Sequence, residues 1–120
     1  MYKQREILLV PFPFSDLSSS KRRPVLVVSN DVYNQHFPDI LVCVITSNLF
    51  GDEYSVPLSE IDLETGLLPE SSLIKCHKLF TIQQSLILRR FSIVSPQKFL
   101  EVYTMLESLI EPKELAANGS

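Results

Sequence analysis

Apolar positions fall in short blocks over most of the chain, and then the period changes. Ile7-Leu8-Leu9-Val10 reads as a first strand, ended by Pro11 and Pro13. Phe12 and Phe14 alternate with these prolines, a spacing that suits an irregular sheet edge. Pro24 to Ser29 forms a second β-branched block, with proline expected at its first position. Asn30 to Asp39 reads as a loop, with Asn34 and Pro38 as turn residues. Ile40 to Ser47 is apolar at successive positions, as expected of a central strand buried on both faces. Gly51-Asp52 suggests a hairpin turn into a strand at Tyr54 to Leu58. Ser59 to Pro69 is acidic and reads as loop, turning at Gly66. Ser72 to Lys75 is another short strand, His77 to Ser85 a connector, and Leu86 to Phe91 the last strand.

Beyond this point the spacing is helical. Ser95 fits an N-cap with Pro96 in the first turn. Phe99, Val102, Tyr103, Leu106, Leu109 and Ile110 recur at intervals of three and four, marking one helix face, and Pro112 follows as a stop. Leu115 to Ser120 should fray, so residues 111–120 are expected to be a tail on a core spanning 6–110. Short strands and one terminal helix predict a mainly β fold, a small, strongly bent barrel or half-barrel with a helix packed on it.

The chain has 120 residues and is expected to form one domain, 1–120. No apolar run is long enough for a membrane span, and no secretory leader pattern follows the first residues. Cys43 and Cys76 lie inside apolar runs, which suits a reducing cytoplasm better than a disulfide scaffold. No metal-ligand spacing is present, so no metal or cofactor is expected. The net charge of −3 argues weakly against nucleic acid, but its distribution argues the other way. No Lys or Arg occurs from Pro24 to Ile74, and no acid occurs from Ser71 to Leu100. Lys75, Lys78, Arg89, Arg90 and Lys98, joined by Lys3, Arg5, Lys21, Arg22 and Arg23, would make one positive face if the fold gathers them.

The sharpest local signal is Lys21-Arg22-Arg23-Pro24 against Val25-Leu26-Val27-Val28. The residue before a proline is held extended, so Arg23 is a cation fixed at the mouth of a strand. A guanidinium there suits bidentate phosphate binding; a basic loop flanking a core strand has the same pattern. A second cluster, Thr46-Ser47-Asn48, puts hydrogen-bonding side chains immediately after a buried run. His77, between Cys76 and Lys78, is the acid/base candidate by its ordinary pKa, and is more readily read as a surface or structural histidine. His36 is a weaker candidate. Phe14, Phe50 and Phe80 can stack on bases or pack in a core. Ser18, Ser19 and Ser20 can bind phosphate or base edges, or form a plain solvated loop.

Read together, Ile7-Leu8-Leu9-Val10 leading to Phe12-Pro13-Phe14-Ser15-Asp16-Leu17, then Lys21-Arg22-Arg23-Pro24-Val25-Leu26-Val27, Ile45-Thr46-Ser47 and Lys78-Leu79-Phe80-Thr81-Ile82 resemble the MazF/PemK family of toxin endoribonucleases. The likeness runs from Glu6 to about Leu109. It implies an SH3-like barrel with a terminal helix, a homodimer, a cognate antitoxin, and metal-independent cleavage of single-stranded RNA at short sequences. The family's key arginine falls on Arg23 and its key threonine on Thr46. The family's usual Gly-Asp at the first strand is Arg5-Glu6 here, and the common Gly-Ser-Glu before the arginine is Ser18-Ser19-Ser20.

The chemistry implied needs few groups. The RNA 2′-hydroxyl attacks the adjacent phosphate, and preorganised donors stabilise the charge that develops. Arg23 would supply charge and fork, and Thr46 a hydroxyl on a stiff side chain. Lys21, Ser47, Asn48, His77 and Lys78, with Phe14 and the three serines, are the candidate substrate contacts. An arginine does not readily give up a proton, so the proton-transfer groups stay open. Two other classes fit the same architecture: a CcdB-like toxin that binds DNA gyrase, and a barrel that binds nucleic acid without cutting it. Arg23 and Thr46 at strand mouths favour the nuclease.

Overall fold

Four β-branched or aliphatic runs form the middle of one sheet, because their side chains find apolar partners on both faces. The fold is read from a computed structural model, which describes residues 1–11 and 21–116. The strands are β1 (Glu6–Pro11), β2 (Arg22–Val27), β3 (Asp39–Thr46), β4 (Ser55–Leu58), β5 (Leu63–Gly66), β6 (Ser72–Gln83) and β7 (Arg89–Val94). They form one antiparallel sheet in the order β4-β6-β3-β2-β1-β7-β5. Helices α1 (Asp31–His36) and α2 (Pro96–Ile110) complete it.

Alternation divides the interior in two. Ile7, Leu26, Cys43 and Ile45 point one way and meet Val56, Leu58, Ile74, Val94 and Val102, with Phe99, Met105 and Leu106 of α2 against them. Leu8, Val10, Val25, Val27, Ile40 and Val42 point the other way, with Ile82, Tyr2, Phe80 and Ile87. The sheet must curl to close over both sets, which makes it the expected bent half-barrel with a C-terminal helix. The first strand is internal, between β2 and β7. The sheet's edges are β4 and β5, and the irregular edge expected around Phe12 and Phe14 lies outside the described residues.

Helix α2 follows its sequence signals. Ser95 caps it by accepting the Lys98 N–H at 3.1 Å, and Pro96 opens it. Val102 is fully buried, but Tyr103 and Ile110 of the expected apolar face are 52% and 82% exposed. The stripe facing the sheet is narrower than the sequence period indicates.

Several connectors differ from expectation. Residues 31–36 form α1, where a loop was expected, capped by the Asn30 side chain on the Tyr33 N–H at 2.9 Å. Asn34 is no turn residue. It is buried and donates to the carbonyls of Tyr2 and Ser29 at 3.2 and 3.0 Å. Gly51-Asp52 is not a hairpin turn, because β4 pairs with β6 and not with β3. The acidic stretch contains a 3-10 turn at Glu60–Asp62 and the edge strand β5. The connector expected at His77 to Ser85 is mostly strand, since β6 runs for 12 residues. Its pairing with β3 jumps from Val44↔Lys75 to Cys43↔Leu79, so Cys76, His77 and Lys78 form a bulge. There β6 keeps β3 as its partner on both sides while its pairing with β4 ends, and the Cys76 N–H bonds the Tyr54 carbonyl at 3.1 Å.

Pro24 is the third residue of β2 rather than its first. The strand tolerates it because of parity. The Val27 carbonyl faces β1 and accepts the Arg5 N–H, while the Val28 N–H faces β3 and donates to Leu41. Pro24, an even number of residues from Val28, would direct its missing N–H toward β3, where the ladder has already ended at Val25↔Val44.

Candidate functional site

Carrying the β2–β3 register two residues past Val25↔Val44 brings Arg23 opposite Thr46. Directly opposed residues of an antiparallel pair share a face. The strand that holds Arg23 extended and the strand that ends in Thr46 thus deliver both side chains to one lip.

Two cavities meet at that lip, and Arg23 and Thr46 line both. One, of about 320 Å³, is a mainly apolar cleft with Ile7, Pro24, Ile45, Leu67, Leu68 and Phe91 in its walls and Arg22, Ser47 and Glu70 as polar groups. The other, of about 420 Å³, is cationic: Arg23, Lys75 and Lys78, with Val44, Asn48 and Phe50. Ser47 therefore lies in the first cavity, and Asn48 and Lys78 in the second. Lys21 is exposed just before β2 and lines neither. Phe14, Ser18, Ser19 and Ser20 lie outside the described residues.

The loop after β3 is braced by its own side chains. The Thr46 hydroxyl oxygen accepts the Asn48 N–H at 3.1 Å, leaving its hydrogen available to donate. Asn48 Oδ1 accepts the Phe50 N–H at 3.1 Å. Lys75 Nζ donates to the Phe50 carbonyl at 3.1 Å and to Asp52 Oδ2 at 3.3 Å. Desolvation raises the Asp52 pKa, but the Ser55 hydroxyl, the Tyr54 N–H and Lys75 outweigh it and hold the carboxyl below its ordinary value.

His77 is exposed, 3.6 Å from Asp52 and tilted against the Tyr54 ring, outside the cationic cavity's wall. His36 bonds the Val32 carbonyl in α1, at the opposite end of β3 from Thr46. Seven strand steps, about 23 Å, separate those ends. Phe80 packs in the second core cluster. Several of the ten cations are held in ion pairs. Arg5 pairs with Glu64, Arg90 with Glu6, and Lys98 with Asp62 and Glu101. Arg23, Lys75 and Lys78 are the three that converge on one cavity.

The sequence reading did not single out Glu70 or Arg22 for the cleft, nor Lys75 for the cavity. Glu70 was submerged in an acidic loop. Lys75 had a usable signal: a lysine inside an apolar strand needs acceptors for its ammonium, and here the Phe50 carbonyl and Asp52 supply them. Among the described residues, no three His, Cys, Asp or Glu side chains gather to hold a metal ion. No helix among them is long and apolar enough to cross a membrane.

Known proteins share this architecture. An endoribonuclease from a mycobacterial species, solved with its cognate antitoxin, superposes with a TM-score of 0.77 at 16% identity, covering 95% of this chain and all of its own. The Mycobacterium tuberculosis toxin MazF-mt6 gives 0.73 at 20% identity, covering 92% of this chain and all of its own. MazF of Deinococcus radiodurans in a MazE–MazF complex gives 0.75 at 20% identity, covering 93% and 98%. No curated protein matches the chain. The family model for the PemK-like, MazF-like toxin of type II toxin-antitoxin systems matches residues 3–110. Arg23, Thr46 and both cavities fall inside that span, and the chain belongs to this toxin family.

Proposed function

We propose that the protein is a cytoplasmic toxin that cleaves single-stranded RNA at short sequences without a metal ion, with Arg23 and Thr46 at the scissile phosphate. One observation carries this reading: the register sets the two side chains opposite each other on a lip shared by an apolar cleft and a cationic cavity. An RNA strand crossing the lip leaves a phosphate between them. The 2′-oxygen bonds to phosphorus, the bond to the 5′-oxygen breaks, and the products carry a 2′,3′-cyclic phosphate and a 5′-hydroxyl. Arg23 takes two phosphate oxygens with its planar fork. The Thr46 hydroxyl donates to the charge that grows on the phosphate. For the proton leaving the 2′-hydroxyl, the cleft offers the Glu70 carboxylate, and water supplies the proton that ends on the departing 5′-oxygen. The gyrase-binding reading gives this convergence no task, and a barrel that binds RNA without cutting it is separated from the nuclease by the cleavage assay.

Likeness to proteins solved with an antitoxin supports a cognate antitoxin here, its acidic segment masking the cation cluster. The family's habit supports a homodimer, which sedimentation at micromolar concentration would show. The decisive experiment is cleavage of a long single-stranded RNA in EDTA. Arg23→Ala and Thr46→Ala are each expected to lose at least about a hundredfold in rate, with thermal unfolding little changed. Arg23→Lys falls nearly as far, because it keeps the charge and loses the fork. His77→Ala retains most activity. A metal requirement, or full activity of Arg23→Ala, refutes the mechanism.

A further inference from the structure

We propose that Phe50 is a stacking platform for the nucleobase beside the cleaved phosphate, held in place by the side chains that brace its loop. The inference rests on the nuclease reading and deepens it by assigning a base-binding residue.

Phe50 is 88% exposed, so its ring has little packing role in this chain. Its backbone, however, is held at both polar groups: the N–H by Asn48 Oδ1 and the carbonyl by the Lys75 ammonium. Lys75 is itself buried and tied to Asp52. Single exposed apolar residues are ordinary on protein surfaces. Val32 and Ile61 are exposed to 72% and 89%, and neither lines any of the cavities with Arg23 or Thr46. Phe50 shares its cavity with Arg23, Thr46, Lys75 and Lys78. An aromatic ring on a braced loop, facing cations that hold a backbone, is the pairing that single-stranded nucleic acid requires. The cavity, about 420 Å³, lies at the small end of ligand sites and suits one base.

The bracing also orients a reader. Asn48 Oδ1 is committed to the Phe50 N–H, so the group of Asn48 left for a ligand is its amide NH2. The ring stacks on any base, since every base has a π-face. The amide donates only to bases that present an acceptor there.

The test uses a randomised single-stranded RNA pool, with cut sites mapped by sequencing, followed by steady-state kinetics on an oligonucleotide carrying the wild-type site. Phe50→Ala should keep its melting temperature within about 3 °C and raise KM roughly 5- to 150-fold. Phe50→Trp should stay near wild type. An abasic nucleotide flanking the cut should weaken the wild type to the level of Phe50→Ala and cost that variant nothing further. Wild-type KM and abasic sensitivity in Phe50→Ala would overturn the platform while leaving the nuclease standing. An intact pool after wild-type treatment would overturn the nuclease reading and the platform with it.

Discussion

Arg5 is the one non-glycine residue at positive φ among those described, at +79°. Left-handed backbone costs about 1–2 kcal/mol for a side chain with a Cβ, and this is where the resembled family commonly has glycine. Arg5 compensates through its guanidinium, which bonds Glu64 at 2.6 Å and the Val94 carbonyl at 2.7 Å. Its backbone also links the Val27 carbonyl and the Val94 N–H. Arg5→Ala keeps the strained backbone and loses both side-chain bonds, while Arg5→Gly loses the bonds and the strain together. Arg5→Gly should therefore be about 1 kcal/mol more stable than Arg5→Ala, seen as a higher urea midpoint at equal m. At this scale Arg23 and Thr46 were legible from sequence, because proline before an aliphatic run and polar residues after one mark strand mouths. Glu70 was not, because its role depends on β5 bringing residues 67–70 against the lip.

At the level of elements, β5 is an edge strand whose last residue admits no side chain. A Cβ on Gly66 would lie 2.5 Å from Ser92 Cβ and 2.6 Å from the Phe91 carbonyl oxygen, at a φ of +92°. Gly66→Ala should destabilise the protein by more than about 2 kcal/mol, measured by denaturant unfolding. β5 itself was hidden in the sequence because it is almost wholly exposed and has no apolar alternation to read. Helix α2 was legible because Ser95 and Pro96 announce it and a broad apolar face follows. The far half of β6 was missed because His77 and Lys78 fall in the bulge, where alternation fails, and polar Gln83 and Gln84 close the run. α1 was missed because six residues give too short a period, though Asn30-Asp31 carried a capping signal.

For the whole molecule, both cysteines lie in the core beneath α2, and neither is in a disulfide. Burial and the neighbouring Cys76 thiol push Cys43 up to about 12, and burial and the Asp52 charge push Cys76 up to about 11. Raised pKa values mean that the folded state favours neutral thiols. Their contribution is complete below the ordinary thiol value of 9.0 and is lost as pH rises toward 11 and 12. Stability should accordingly fall above about pH 9, and Cys43→Ser/Cys76→Ser should flatten that limb of the unfolding curve. A disulfide reagent at pH 8 should leave the native thiols untouched and label both after denaturation. The bulge in β6 has a bearing on how such a molecule can diverge. By strict alternation Lys75 and Lys78 would face opposite sides of a sheet, and the three-residue excursion is what lets both line one cavity. The charge of that cavity is thus tied to chain length. Substitutions between Cys76 and Lys78 leave the parity intact, whereas a single inserted or deleted residue would reassign every side chain downstream to the other face. The number of residues in the bulge is therefore constrained independently of which residues they are.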